Sequence, residues 1–327
     1  MASEDRLIDR IYEAAFVPEV WPDLLQRLAD HVGGVGATVF LTNLSNVPRW
    51  ISSDSIHAVL TDWVSEGWVT RNQRTHRMVA MQHAGFVTTS DVFTEEERLA
   101  DREHAEFLKP RGLGSSAGTF IPMPTGEIVV YSIERSLALP PMMRDEATAL
   151  DILRPHLARA GVIASRLGQE RARSAAETFS MIGLPAVSLD SRGRVLAAND
   201  LFQGLVPRLF LDTRDRLKIA DGSADRLLKA ALADSRQPEQ PVTSIPVPAT
   251  DESAPHILHV LPVRRLAQDL FFRVAWIGIA TPVVPAAVPG AQVLQGLFDL
   301  TPAEARAARE VASGNTIQDL ADALGLS

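Results

Sequence analysis

The chain opens with two runs of apolar residues spaced three and four apart, the pattern of helices that bury one face. The first spans about Ser3 to Phe16. Pro18 opens the second, which turns Trp21, Leu24, Leu25 and Leu28 inward and stops at Gly33-Gly34. "GATVFLTN" and "VPRWISS" then alternate apolar and polar positions and predict a strand hairpin. Helical spacing returns at Ile56, Val59, Leu60 and Trp63, ended by Gly67. "GFVTTSDVF" reads as a strand. Thr94 and Glu97 have capping-box spacing and open a helix to about Leu108. "RGLGSSAG" at 111 to 118 reads as a loop, and "SAGTFIPMPTGEIVVYSIE" as a second hairpin turning at Thr125-Gly126.

From about Pro141 to Phe179 the pattern is one long helix. Leu150, Leu153, Leu157, Ala160, Ala164 and Leu167 form a seam that faces another helix, and Pro155 inside it predicts a kink. Two readings of the seam stand side by side: a helix folded back over its own sheet, or a signalling helix pairing across a homodimer. The second makes Leu150, Leu153, Leu157, Ala164 and Leu167 dimer contacts.

Beyond it, Val187 and Leu189 alternate, Asp190-Ser191-Arg192-Gly193 turns, Val195 and Ala197 return, and Asn199-Asp200 caps the next helix. A helix at "SADRLLKAALADS" and strands at "QPVTSIPVPA", "PHILHVLPVRR" and "LFFRVAWIGIA" follow, then a Pro/Ala linker, "TPVVPAAVPGA". The last stretch predicts two short helices. Thr301, Pro302 and Glu304 start one and Gly314 ends it; the other begins near Thr316 with Ile317, Leu320, Ala321 and Leu324 on one face.

Leu300-Thr301-Pro302-Ala303-Glu304, Ala312-Ser313-Gly314 and Ile317 to Leu324, with Gly325 and Ser327, resemble the front half of the LuxR/GerE-type helix-turn-helix. The resemblance implies a DNA-binding transcriptional regulator truncated before its recognition helix, with Thr316 donating to a DNA phosphate and most DNA contacts lying beyond Ser327. The element order of the first 140 residues resembles a GAF-like sensor. The hairpin from Phe179 onward resembles the opening of a PAS domain. Together these give an α+β expectation: two antiparallel-sheet sensors joined by a long helix, followed by a partial all-α module. The expected boundaries are 1–140 (GAF-like), 141–178 (signalling and dimerisation helix), 179–280 (PAS-like), 281–295 (linker) and 296–327 (partial helix-turn-helix). The Trp-x-x-x-Tyr signature of lactone-binding relatives is missing, since Gly67 stands four residues after Trp63, and no Asp-Pro pair occurs.

A net charge of −8 argues against a general nucleic-acid coat, and residues 300 to 327 carry two arginines against four acids. Cysteine is absent, which removes disulfides, thiolate nucleophiles and thiol-linked chromophores. No secretory signal opens the chain, and Pro282, Pro285 and Pro289 interrupt its most apolar stretch, so a cytoplasmic protein without a membrane span is expected. No GxSxG elbow or P-loop lysine is present, and His256 and His259, three apart in a strand, point to opposite faces and cannot share a metal. These observations predict neither catalytic nor metal-ligating residues and name no cofactor. Trp50, Trp63, Trp68, Phe120 and Tyr131 gather in the first sensor and read either as core or as the lining of a small-molecule pocket. Thr75-His76-Arg77 and His83, beside Arg71 and Arg74, read as a solvated loop or as a cradle for an acidic ligand. The alternative to a regulator is an enzyme or metabolite-binding protein whose C-terminal helices serve only for packing.

Overall fold

Two antiparallel five-stranded sheets organise the chain in a computed structural model that describes residues 2–42, 48–233, 241–263, 270–271, 273–283 and 289–314. Helices α1 (Ala2–Phe16) and α2 (Trp21–His31) come first, joined by a 3-10 turn at Pro18–Val20. Strands β1 (Gly36–Thr42) and β2 (Arg49–Ser52) follow, then α3 (Asp54–Ser65) and α4 (Gln73–Met81). A short β3 (Val87–Thr88) leads into α5 (Thr89–Val92), α6 (Glu95–Ala100) and a π-helical segment, Glu103–Leu108. Strands β4 (Leu113–Pro122) and β5 (Ile128–Ser136) turn through Gly126, whose φ of 77° suits a residue without Cβ. The sheet runs β2-β1-β5-β4-β3.

Helices α7 (Arg144–Asp151) and α8 (Arg154–Ser180) connect this sheet to the next. The second sheet draws on β6 (Ala186–Leu189) and β7 (Val195–Ala198). Next come α9 (Asp200–Gln203), a two-stranded hairpin of β8 (Phe210–Asp212) and β9 (Leu217–Ile219), and α10 (Gly222–Ala233). Strands β10 (Thr243–Val247), β11 (His256–Pro262) and β12 (Trp276–Pro282) complete it in the order β7-β6-β12-β11-β10. Counted from the first strand of each, both sheets read second, first, fifth, fourth, third, and every pairing is antiparallel. The fold is thus α+β and repeats one sheet plan twice. Helices α11 (Ala291–Phe298) and α12 (Pro302–Ala312) follow.

The first core lies between the inner face of sheet one and helices α1, α2, α7 and α8. Leu150, Leu153 and Leu157 are fully buried there, Ala164 is buried and Leu167 is half-buried. The apolar seam is therefore filled largely from within the chain, chiefly against α1, and of the leucines on which the dimer expectation rested only Leu167 keeps part of its surface exposed. Burying each leucine is worth roughly 1.5–3 kcal/mol, so the intramolecular arrangement has ample drive. Farther along α8 the inward residues shrink to Gly168, Ala172 and Ala176, which lets sheet two pack closely: Ser188 Oγ donates to the Ala172 carbonyl at 2.9 Å. Leu270 and Phe271, expected in the second sensor, join the first core, where the Phe271 ring lies 5.8 Å from that of Trp21.

Several expectations change. The long helix is two: Ile152 and Leu153 break it, and Pro155 sits in the first turn of α8, where its missing N–H costs nothing. "TTSDVF" is a helical turn, because Thr88 and Asp91 form a capping box. "RGLGSSAG" enters β4, and Thr75-His76-Arg77 lies on α4 rather than in a loop. The helix from Thr94 ends at Ala100. Helix α11 starts within the stretch read as linker. The capping box of Thr301 and Glu304 forms as expected, with Thr301 N–H donating to Glu304 Oε2 at 2.8 Å. Thr316 and the expected helix that it opens lie outside the described residues. Among the described residues no helix is long and apolar enough to cross a membrane.

Candidate functional site

Alternation decides which side chains of sheet one face outward. On β1, Ala37, Val39 and Leu41 enter the core while Thr38, Phe40 and Thr42 face the other way; on β5, Val129, Tyr131 and Ile133 enter while Val130, Ser132 and Glu134 face out. A cavity of about 100 Å³ lies over this outer face, floored by those residues with Ser116 and Gly118 of β4. Helix α3 walls it with Ile56, Val59, Leu60 and Trp63. Val87 and Val92 close one side, and Glu103, Phe107 and Leu108 of the π-helical segment close the other. Gly118 keeps the floor low: a Cβ there would approach the Tyr131 carbonyl at 3.0 Å and Met78 Sδ at 3.3 Å.

The apolar wall surrounds a compact polar cluster. Arg74 Nη2 donates to Glu134 Oε1 at 3.0 Å and Nη1 to Oε2 at 3.3 Å, a two-pronged pairing, and Nη1 also donates to Ser116 Oγ. Ser132 Oγ donates to Glu134 Oε1 at 2.7 Å. In the same lining, Trp63 Nε1 and Asn72 Nδ2 both donate to Glu103 Oε1, at 2.9 and 3.1 Å. Asn72 also caps α4 through Thr75 N–H at 2.7 Å, which is how the helix places Arg74. Burial pushes the Glu103 carboxyl above its ordinary value of 4.5, against the lowering effect of Arg74 and of the Trp63 hydrogen bond.

Of the five aromatics expected to line a pocket, only Trp63 is among the residues lining this one. Tyr131 belongs to the opposite face of the sheet and is buried in the core near Trp21, their rings 6.4 Å apart. Phe120 packs with Met78, Val87 and Val130 on the sheet's outer face. Trp50 lies over His57, and Trp68 packs on Phe107 with Arg71 above its ring at 4.1 Å. Sequence reasoning missed Glu103, Glu134, Ser116 and Ser132. The two residues on β5 were within reach, since parity with Val130 assigns them to one face.

The cradle for an acid forms only in part: Arg74, Thr75 and His76 line the cavity, whereas Arg71, Arg77 and His83 are engaged outside it. Arg74 is paired with Glu134. Arg71 donates to the carbonyls of Glu66 and Gly67, Arg77 pairs with Glu97 at 3.0 Å, and His83 meets Arg144 at 2.8 Å. The strand histidines are satisfied locally: His259 by Ser244 and Thr281, His256 by the Ala254 carbonyl. Among the described residues no cluster of three or more potential ligands could hold a metal ion.

Sheet one with its helices is thus an α+β unit holding a small, mainly apolar cavity with a charged cluster. No protein-family profile matches the chain, and no curated protein matches it in sequence. Solved structures with some likeness include the N-acylhomoserine lactone-dependent LuxR-family transcription factor CepR2 from Burkholderia cenocepacia, at TM-score 0.40 and 14% identity over 51% of this chain and 99% of that one. The VqsR LBD domain from Pseudomonas aeruginosa matches at TM-score 0.39 and 9% identity, covering 50% and 97% of the two chains. Escherichia coli SdiA matches at TM-score 0.34 and 14% identity, covering 51% and 76%. These likenesses are distant, and the chemistry of the site rests on its own residues.

Proposed function

We propose that the chain is a ligand-responsive transcriptional regulator whose sensor is the cavity on sheet one. The observation that carries the reading is an apolar cavity holding buried, oriented polar side chains, Glu103 with Trp63 and Asn72, and Arg74 with Glu134. Mostly apolar walls with a few converging polar groups are what small-molecule sites require. The remaining assignments rest on the sequence resemblances: a GAF-like unit at 1–140, a helical connection at 141–178, a PAS-like unit at 179–280, and a partial LuxR-type helix-turn-helix at 296–327. In this reading ligand binding biases one arrangement of the first core. Helix α8 transmits it, because its N-terminal half is buried in that core and its C-terminal half lies under sheet two.

The test is a thermal-shift screen of the whole chain against small amines, alcohols, amides and acids, with native mass spectrometry of the purified protein for a retained molecule. A true ligand raises Tm in the wild type and loses its effect in Val59→Phe, which fills the cavity from a half-buried wall position. A stabiliser that works equally well in Val59→Phe would place the site elsewhere.

A further inference from the structure

The charge balance of the cavity is uneven. Its lining holds two carboxyl side chains, Glu103 and Glu134, with one arginine, Arg74, and one histidine, His76. That arginine spends both prongs on Glu134 and adds Ser116, so three of its five N–H donors are committed within the cluster. Glu103 is 4% exposed, and both of its hydrogen bonds, from Trp63 and Asn72, fall on Oε1; among the described residues Oε2 accepts none. Arg74 favours the Glu103 carboxylate by charge without hydrogen-bonding to it, and the nearby Asp101 and Glu134 oppose that effect. A buried carboxylate with no cation in contact is unfavourable, and it is relieved either by a proton or by a cation brought to it. Beside it stand aromatic rings: Trp63 and Phe40, 5.6 Å apart, line the same cavity. Aromatic rings attract ammonium groups and do nothing comparable for carboxylates.

We propose that the ligand class of this cavity is a small organic amine, whose ammonium group pairs with Glu103 while its apolar body lies against the α3 wall. This deepens the sensor reading and rests on it. The upward displacement of the Glu103 carboxyl by burial agrees with a group that awaits a cation. Binding then couples to protonation: an arriving ammonium displaces the carboxyl proton, so affinity rises as pH climbs through the ligand-free value of Glu103. Acids are disfavoured because Arg74 is already neutralised by Glu134.

Isothermal titration of the full chain with three matched sets tests this: benzylamine, 2-phenylethylamine and butylamine, each against its alcohol and its carboxylate. The expected result is at least tenfold tighter binding of one amine than of its alcohol, with the carboxylate weaker still. Glu103→Gln keeps an acceptor for Trp63 and Asn72, and it should cost the amine at least tenfold and erase its preference over the matched alcohol. Cooperative unfolding and an unchanged near-UV circular dichroism spectrum confirm that the variant is folded. Alcohols or acids binding as tightly as amines would overturn the amine assignment and leave the cavity a binding site. Binding by none of the nine compounds, together with no retained molecule by mass spectrometry, would overturn the sensor reading itself.

Discussion

Arg74 and Glu134, 60 positions apart, meet through two hydrogen bonds of 3.0 and 3.3 Å and tie α4 to β5 beneath the cavity. Removing one partner of a largely dry ion pair strands the other, whereas replacing both with apolar side chains strands neither. Arg74→Ala and Glu134→Ala should each lower stability by about 2–4 kcal/mol, the lower end allowing for residual exposure of the arginine. The double variant Arg74→Met, Glu134→Leu should lie closer to wild type than either single change, read as a positive coupling in urea denaturation.

Glu103 gives a pH signature of opposite sign to an ordinary paired acid. Its carboxyl is raised, chiefly by burial, so its contribution is fully present below the unfolded value and is lost as pH rises through the folded value. Glu103→Gln should therefore match wild type at about pH 4 and exceed it in Tm above about pH 7. A variant less stable than wild type at neutral pH would mean that the carboxylate is well paired in the ligand-free protein.

Tyr131 shows what parity could have settled. Tyr131 and Ser132 are adjacent, so one enters the core and the other faces the cavity, and the apolar character of Val129 and Ile133 assigns the tyrosine to the core. Aromatic clustering along the sequence ignored this, and four of the five expected aromatics line no part of the cavity. The hairpins, the capping boxes at Thr94 and Thr301 and the Asn199 cap were legible because each is decided by a few neighbouring residues. Helix α4 was hidden by its polar face, although Asn72 is an N-cap and Gln82, at φ 50°, closes the helix. The Glu103 cluster was illegible for another reason: Trp63 and Asn72 reach it from 40 and 31 positions away, a closure no local pattern encodes.

The same tyrosine supplies a test. Its hydroxyl is buried with no hydrogen-bond partner among the described residues. An unsatisfied buried hydroxyl costs on the order of 1–3 kcal/mol. Tyr131→Phe should leave stability unchanged or raise it by about 1 kcal/mol. Because the ring lies on the core face, ligand binding in the cavity should not change. Loss of binding in a stable Tyr131→Phe protein would show that the two faces are coupled.

Leu157 separates the two readings of the helix seam. It is fully buried within its own chain, so Leu157→Glu puts a carboxylate into the first core. Replacing a buried leucine by even alanine costs about 2–5 kcal/mol, and a buried charge costs more. The expected outcome is loss of cooperative unfolding and of near-UV circular dichroism. A folded Leu157→Glu protein that merely changes from dimer to monomer by light scattering would restore the intermolecular seam.

Asn199 is the joint on which sheet two hangs from α8. Its Oδ1 accepts from the N–H groups of Ala186 and Phe202, both at 3.0 Å, while Nδ2 donates to the carbonyls of Ala176 and Leu184 at 3.1 and 2.9 Å. One buried amide thereby links the end of α8, the start of β6 and the first turn of α9. Asn199→Ala strands the N–H groups of Ala186 and Phe202 and the Leu184 carbonyl, whereas the Ala176 carbonyl keeps its partner within α8. The change should cost about 3 kcal/mol, at roughly 1 kcal/mol for each stranded group. Asn199→Asp is the sharper probe. It keeps the two accepted bonds and turns an oxygen toward two carbonyl oxygens, a repulsion that protonation relieves by supplying an O–H donor. The aspartate in the folded state should therefore have a raised pKa, and its deficit relative to wild type should shrink as pH falls from about 7 to about 5. Asn199→Ala should show no such recovery. Equal pH profiles for the two variants, measured by urea denaturation, would mean that the amide nitrogen is not the donor to Ala176 and Leu184.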